Sequence, residues 1–321
     1  MVTLSFNEVT LLSKISNINR TITLLAVGLV LGSGLAAYHD FRHDQQVLLE
    51  FAGHDRRPAS QAGGITASQY RKLAQLDYHS GNNPVILVNH GQSTLNPKAW
   101  RRDQVIYQQL DGSRRTASSN TAFLNSRNHA NTSLRTSQDI QPTGWHNNSD
   151  GNLVYNRGHL IAYSLTGGID PRTGQFHAGA LGDQDNPRNL FTETDFTNEV
   201  LQTYYEAQVR HAIERGKHVI YQATPIFRGD EMMARGINLQ ALSTDGTLNF
   251  NVYLFNVEPG VTLNYQTGAS QVNQQMRVYV PINMNEDDSD VQSAGNGDLR
   301  VVGHYPTPFA TEPRHYYRVN Q

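Results

Sequence analysis

From residue 83 onward, short apolar runs and turn-forming residues recur along the chain, the pattern of strands joined by tight connections. The break at Asn83-Pro84 is followed by Val85-Ile86-Leu87-Val88, which predicts a buried strand. Leu153-Val154-Tyr155 and Leu160-Ile161-Ala162-Tyr163 flank the polar stretch Asn156-Arg157-Gly158-His159, which therefore sits at the edge of something buried. Thr194-Asp195 offers capping side chains to a helix with apolar positions Phe196, Val200, Tyr204, Val209 and Ile213, and Gly216 stands where such a helix ends. A strand is predicted from His218 to Thr224, stopped by Pro225. Residues 237–241 and 248–254 alternate between apolar and polar, and Asp245-Gly246 between them marks a hairpin, because glycine accepts the positive φ of a tight turn. A further strand is predicted at 261–265. Strands, one principal helix and more strands predict an α+β fold with an antiparallel sheet.

Outside that region the pattern changes. Residues 21–38 are the one long apolar segment, preceded by Lys14 and Arg20. About 18 residues is close to the lower limit for spanning hydrocarbon. The segment reads as a signal peptide or a membrane anchor, with the positive flank staying cytoplasmic and the rest of the chain exported. The expected organisation is a cytoplasmic tail with signal or anchor at 1–38, a spacer at 39–82, the folded domain at 83–282, and a linker with a C-terminal tail at 283–321. The run Asn285-Glu286-Asp287-Asp288-Ser289-Asp290 and the glycine-serine stretch after it lack apolar residues, as a linker does.

Composition narrows the chemistry. The chain holds no cysteine, which removes disulfides, thiolate catalysis and cysteine-ligated zinc. Its net charge is −2, which argues against a nucleic-acid packaging protein but leaves room for an enzyme that must release its product. Within 94–135 the balance is reversed: Lys98, Arg101, Arg102, Arg114, Arg115, Arg127 and Arg135 face only Asp103 and Asp111, as a phosphate-tracking surface would.

Chemistry concentrates around His159. An imidazole titrating near neutrality can deprotonate water. Thirty-nine residues on, Asn198 opens the predicted helix; Glu206 follows eight residues later, about 80° round the axis, and Arg210 lies one turn beyond Glu206. An amide oxygen is a weak anchor for a hard divalent cation, sufficient if phosphate oxygens complete the shell, and Glu206 can hold the waters around it. Together with Arg157, these residues suit hydrolysis of a phosphodiester.

Residues 84–270 resemble the DNA/RNA non-specific endonuclease family, and in particular its membrane-bound DNA-entry nucleases. The resemblance is carried by Leu110-Asp111-Gly112, Gln141-Pro142-Thr143-Gly144-Trp145, Asn156-Arg157-Gly158-His159-Leu160, Asn186-Pro187-Arg188-Asn189, the helix around Asn198 and Glu206, and Leu248-Asn249-Phe250-Asn251-Val252. It implies a ββα-metal (His-Me finger) nuclease core at 83–282, with His159 as general base and Asn198 as the magnesium ligand, manganese being an alternative ion. Glu206 would organise water, and Arg157 and Arg210 would contact phosphate or the transition state. Asn189 and Asn156 would shape the site. Arg101, Arg102, Arg114, Arg115 and Arg188 are candidates for nucleic-acid contacts, with DNA as the expected partner and RNA as a second substrate. Position 156 departs from the family motif, which usually has Asp there.

Two other classes compete. A membrane-tethered DNA-binding receptor with weak or vestigial cleavage would keep the basic stretch and tolerate Asn156. A zinc hydrolase would draw on the thirteen histidines, of which His39 and His43 have helical spacing, but no His-Glu-x-x-His occurs.

Overall fold

The computed structural model describes residues 62–148, 154–281 and 299–302. All of them lie in the second of the chain's two compact units, Arg57–Gln321. The apolar segment at 21–38, the His39/His43 pair and most of the expected linker and tail lie outside the described residues. Among the described residues no helix is long and apolar enough to cross a membrane.

The chain enters with helix α1 (Ala67–Ala74), closed by a capping box in which Thr66 accepts from Gln69 N–H while the Gln69 side chain accepts from Thr66 N–H. Strands β1 (Val85–Leu87), β2 (Gln104–Ile106) and β3 (Asn120–Leu124) follow, then the hairpin-like pair β4 (Tyr155–His159) and β5 (Leu190–Thr194). A π-helical turn (Thr197–Gln202) runs into helix α2 (Thr203–Glu214). Long strands β6 (Val219–Ile226), β7 (Gly236–Ser243) and β8 (Asn249–Phe255) come next, then the short β9 (Val261–Leu263), β10 (Ser270–Val272), β11 (Val278–Pro281) and β12 (Leu299–Val302).

Six strands form one antiparallel sheet in the order β1-β8-β7-β6-β3-β2. Its two faces differ because side chains alternate along each strand. One face carries Val219, Tyr221, Ala223, Leu239, Ala241, Phe250 and Val252 and joins the main core with Val209, Ile213 and Leu201 of the helical segment. Leu201, Phe196 and Phe191 are fully buried there, each stabilising the fold by about 1.5–3 kcal/mol relative to exposure. The other face mixes Phe123 and Ile220 with the amides Gln222 and Gln240, which bond the segments at 63–65 and 93–94. The alternation in β7 and β8 is thus not apolar-in and polar-out. Both faces are covered, and the polar face is satisfied by chain from before β2.

Particular elements differ from the sequence reading. The first strand is an edge strand pairing only with β8, which leaves Leu87 66% exposed. Pro225 does not stop β6, which continues to Ile226 with Pro225 opposite Ile237. The helix does not start as an α-helix: Thr203 N–H bonds Asn198 O five residues back, so its first turn is wide. Thr194 still caps it by accepting from Thr197 N–H at 3.2 Å. At the far end Gly216 (φ +79°) donates to Ile213 O and Lys217 to Ala212 O, a Schellman closure that needs the left-handed residue glycine supplies. Residues before 83 also contribute to the fold: Leu73 and Ala74 are buried in the main core, and Tyr70 Oη accepts from Phe227 N–H at 2.9 Å.

Candidate active site

β4 and β5 pair with Asn156 opposite Glu193, Gly158 opposite Phe191 and His159 opposite Leu190. The ribbon places His159 at the end of its strand, against the helical segment. The backbone just past His159 is clamped by Asn189: its Oδ1 accepts from Ile161 N–H at 3.0 Å, its Nδ2 donates to Ile161 O at 3.0 Å, and its own carbonyl accepts from Leu160 N–H at 2.8 Å. Asn189 is fully buried and reached by Asn120 Nδ2 at 3.3 Å, so the clamp is tied to the sheet.

His159 is itself buried, and its Nε2 lies 3.1 Å from Gln184 O. A carbonyl only accepts, so that nitrogen carries a proton in this arrangement. Burial first, and the charge of Arg135 second, lower the imidazole to about 4, with the Gln184 and Asp183 carbonyls acting the other way. The ring is therefore neutral at physiological pH.

From the helical side, Gln202 Nε2 donates to His159 O at 2.6 Å and to Glu206 Oε1 at 2.8 Å, joining strand end, helix and carboxylate in one chain of bonds. Glu206 is buried, which raises it to about 7 against the lowering effects of Gln202 and Arg210. Arg210 Nη1 donates to Ser164 Oγ at 3.3 Å. Glu206 and Arg210 are thus not an exposed surface pair. Asn198 sits half-buried on the wide turn, its Nδ2 donating to Glu199 Oε1 at 2.8 Å, so its amide oxygen faces away from that bond. Wide turns of this kind are frequent at functional sites.

Asn156 donates to Asp195 Oδ1 at 3.0 Å and to Glu199 Oε1 at 3.5 Å. Aspartate at this position would add a third carboxylate to two, whereas the amide donates to both. The departure from the family motif is compensated locally. Arg157 points to the other face of the ribbon, its Nε donating to Ile140 O at 2.5 Å and its guanidinium 4.3 Å from the Trp145 ring centroid. Trp145 belongs to the Gln-Pro-Thr-Gly-Trp stretch, so two separate motifs meet in one stacked pair.

The basic run does not form one surface. Arg115 is largely buried, bonds Asp111 at 2.8 Å and the carbonyls of Gly229 and Glu231, and lies over Phe227. Arg188 donates to Pro171 O and Arg172 O and faces the Tyr107 ring. Arg127 pairs with Asp103 at 2.6 Å. Arg101, Arg102 and Arg114 are exposed, and Arg101 folds back onto the carbonyls of Lys98 and Trp100. Arg135 is different again: its charge acts on His159, Glu199 and Glu206, which places it beside the site.

Sequence reading missed Arg135 as a site residue, and with it Gln202 and Glu193. Gln202 was findable as a polar residue one helical turn before Glu206. Glu193 was findable as an acid inside a strand flanked by Leu190 and Phe191. Arg135 carried no local signal beyond its charge. Among the described residues no three His, Asp or Glu side chains converge closely enough to hold a metal directly, so a cation here would rest on amide oxygen and water.

The DNA/RNA non-specific endonuclease family model matches residues 94–245. A deoxyribonuclease of Streptococcus dysgalactiae subsp. equisimilis is 25% identical over 211 residues, 56% of this chain and 64% of that protein's length. The crystal structure of NucA from Streptococcus agalactiae with magnesium ion bound is 28% identical, covering 65% of this chain and 99% of that one with a TM-score of 0.52. The metal-free form of the same protein, also 28% identical, covers 64% of this chain and 95% of that one with a TM-score of 0.51. Residues 94–245, which hold the ribbon, the wide-turn helix and the Arg-Gly-His stretch, thus match the DNA/RNA non-specific endonuclease family.

Proposed function

We propose that the protein is a magnesium-dependent, sequence-non-specific endonuclease that hydrolyses phosphodiester bonds of DNA, and of RNA as a second substrate. The observation that carries this reading is His159, kept neutral by burial, oriented by the Gln184 carbonyl and joined through Gln202 to Glu206. A neutral imidazole fixed in orientation is a ready general base: it takes the proton of an attacking water, and the carbonyl edge stabilises the imidazolium that results. Arg157 and Arg210 supply positive charge to the phosphate oxygens. Asn189 keeps the base from drifting by clamping residues 160 and 161.

The residues fit a hard divalent cation. Asn198 offers an amide oxygen, and Glu199, Asp195 and Glu206 are oxygen groups able to accept from its waters, in a chain without cysteine. Bound there, magnesium would neutralise charge on the scissile phosphate and leaving oxygen. The magnesium-bound NucA relative supports this choice of ion. The apolar segment at 21–38 supports export, with the nuclease acting outside the cell membrane, either anchored or released.

The test is a plasmid-nicking assay on the full chain with magnesium, with and without chelator. Nicking should vanish with chelator and in Asn198→Ala, while folding is kept. Equal nicking in chelator would overturn the metal-dependent reading, and cleavage confined to sharp preferred sites would overturn non-specificity, since backbone contacts carry no direct sequence information.

A further inference from the structure

β5 carries a carboxylate with no partner. All five of its residues are buried, and neither oxygen of Glu193 has a hydrogen-bond donor. The side chain lies across Gly158 on the neighbouring strand: a Cβ at position 158 would fall 2.1 Å from Glu193 Oε2. The glycine between Arg157 and His159 is thus the gap that admits this carboxylate. The charges acting on Glu193 are those of Glu206 and Glu199, both negative, and with burial they push it well above the usual carboxylate range.

Two more buried atoms have no partner: Oε1 of Gln202, whose Nε2 bonds His159 O and Glu206, and Oη of Tyr221, which feels the charges of Glu206 and Glu193. The unpartnered atoms are thus three acceptor oxygens, two of Glu193 and one of Gln202, and a single hydroxyl, that of Tyr221. A buried region with surplus acceptor oxygens beside Glu199 and Glu206 suits a cation carrying its own donors. A hydrated divalent ion is such a group, because magnesium keeps several waters whose O–H bonds point outward.

We infer that Glu193, lying across Gly158 and converging with Glu199 and Glu206, is a further carboxylate of the divalent-cation site, accepting hydrogen bonds from the ion's water shell. It acts through water, in keeping with the absence of three directly convergent ligands among the described residues. The inference rests on the cation site proposed above for Asn198. It assigns Glu193 a role in affinity and placement of the ion, distinct from the base His159. Outer carboxylates of this kind typically govern metal affinity by about 10–100-fold.

The experiment measures Mn2+ binding by electron paramagnetic resonance and Mg2+ binding by calorimetry on the full-chain protein, comparing wild type, Glu193→Gln and Asn198→Ala. Thermal unfolding in chelator is recorded alongside. Glu193→Gln should weaken Mn2+ binding by about 10–100-fold, and it should raise Tm in chelator because it removes an unpaired buried carboxylate. A residue with a purely structural role would move Tm without moving affinity. Glu193→Asp, which keeps the charge on a shorter stem, should bind more tightly than the Gln variant, and it serves if that variant fails to fold. Wild-type affinity in Glu193→Gln, or in Glu193→Asp equal to a folded Gln variant, overturns the inference while leaving Asn198 intact as the anchor. Absence of ion binding by the wild type overturns both together.

Discussion

The rear face of the six-stranded sheet and the gap between ribbon and helix are both buried, yet the first pairs its amide groups while the second leaves a carboxylate unpaired. On the rear face Gln222 reaches Gly63 O and Thr121, Gln240 accepts from Thr94 N–H, and Asn238 donates to Asn251 and Val252 O. Asn256, at the end of β8, likewise joins Thr192 O, Ala234 O and Thr194 N–H. By contrast, Glu193, Gln202 Oε1 and Tyr221 Oη have no partner. An unsatisfied buried group costs about 1–3 kcal/mol, so a fold keeps such groups only where something else depends on them. The contrast sets bonded amides that hold the sheet's shape against an unpaired carboxylate one strand from His159.

The largest expected break in that contrast is His159→Ala. It should lower kcat in the nicking assay by about 10²–10⁴-fold while thermal unfolding changes little, and added imidazole should restore part of the rate. More than a third of wild-type activity would remove His159 from the mechanism. Asn189→Ala breaks the clamp instead: it strands buried N–H and C=O groups of Ile161 and should cost about 3 kcal/mol in urea unfolding, taking activity with it. A variant as stable as wild type would show that water replaces the clamp.

Glu206→Gln sharpens the comparison through pH. The carboxyl is raised to about 7 from 4.5 by burial. The stability it contributes is fully present below about pH 4.5 and is lost as pH rises through about 7. Wild type should therefore lose stability relative to Glu206→Gln between those limits, and the difference cancels His159, whose lowered value runs the other way. Activity at pH 8 should fall by about 10–100-fold in the Gln variant, and the rise of kcat/KM through neutrality should flatten. A wild-type rise unchanged in Glu206→Gln would assign that limb to another group. The smallest effects separate two adjacent arginines. Arg115→Ala should cost about 1.5 kcal/mol, since it strands Asp111 and two carbonyls. Arg114→Ala should stay within about 0.5 kcal/mol of wild type and raise KM more than it lowers kcat. Equal stability loss in both would dissolve the distinction between tether and surface.

Much of the scaffold was legible because its signals are local. Gly216 announced the helix end, the alternation in 248–254 announced β8, and Thr194 announced the cap. Local signals failed where a neighbour decides. Pro225 sits where the sheet tolerates it, and the width of the turn at Asn198 has no compositional mark. Motifs pointed to His159 and Asn198, and the structure sets the end of the His159 strand against the helix that carries Asn198. Glu193, Gln202 and Arg135 come near His159 only when β5, the helix and the segment before β4 meet, and the charge count over 94–135 could not separate Arg115, turned inward, from Arg114 beside it.

The wide turn at 197–202 also makes the helix sensitive to length. A π-helical turn holds one residue more than the α-helical turn it replaces, so deleting a single residue from 199–201 would let the segment wind as an ordinary helix. Each α-helical residue turns the chain by about 100°, and the deletion would swing Asn198 by that angle relative to Glu206. The helix would keep its apolar stripe from Tyr205 onward and still pack on β6. In this fold a one-residue deletion would therefore separate Asn198 from Glu206 while leaving the architecture standing, a mutational route distinct from substitution.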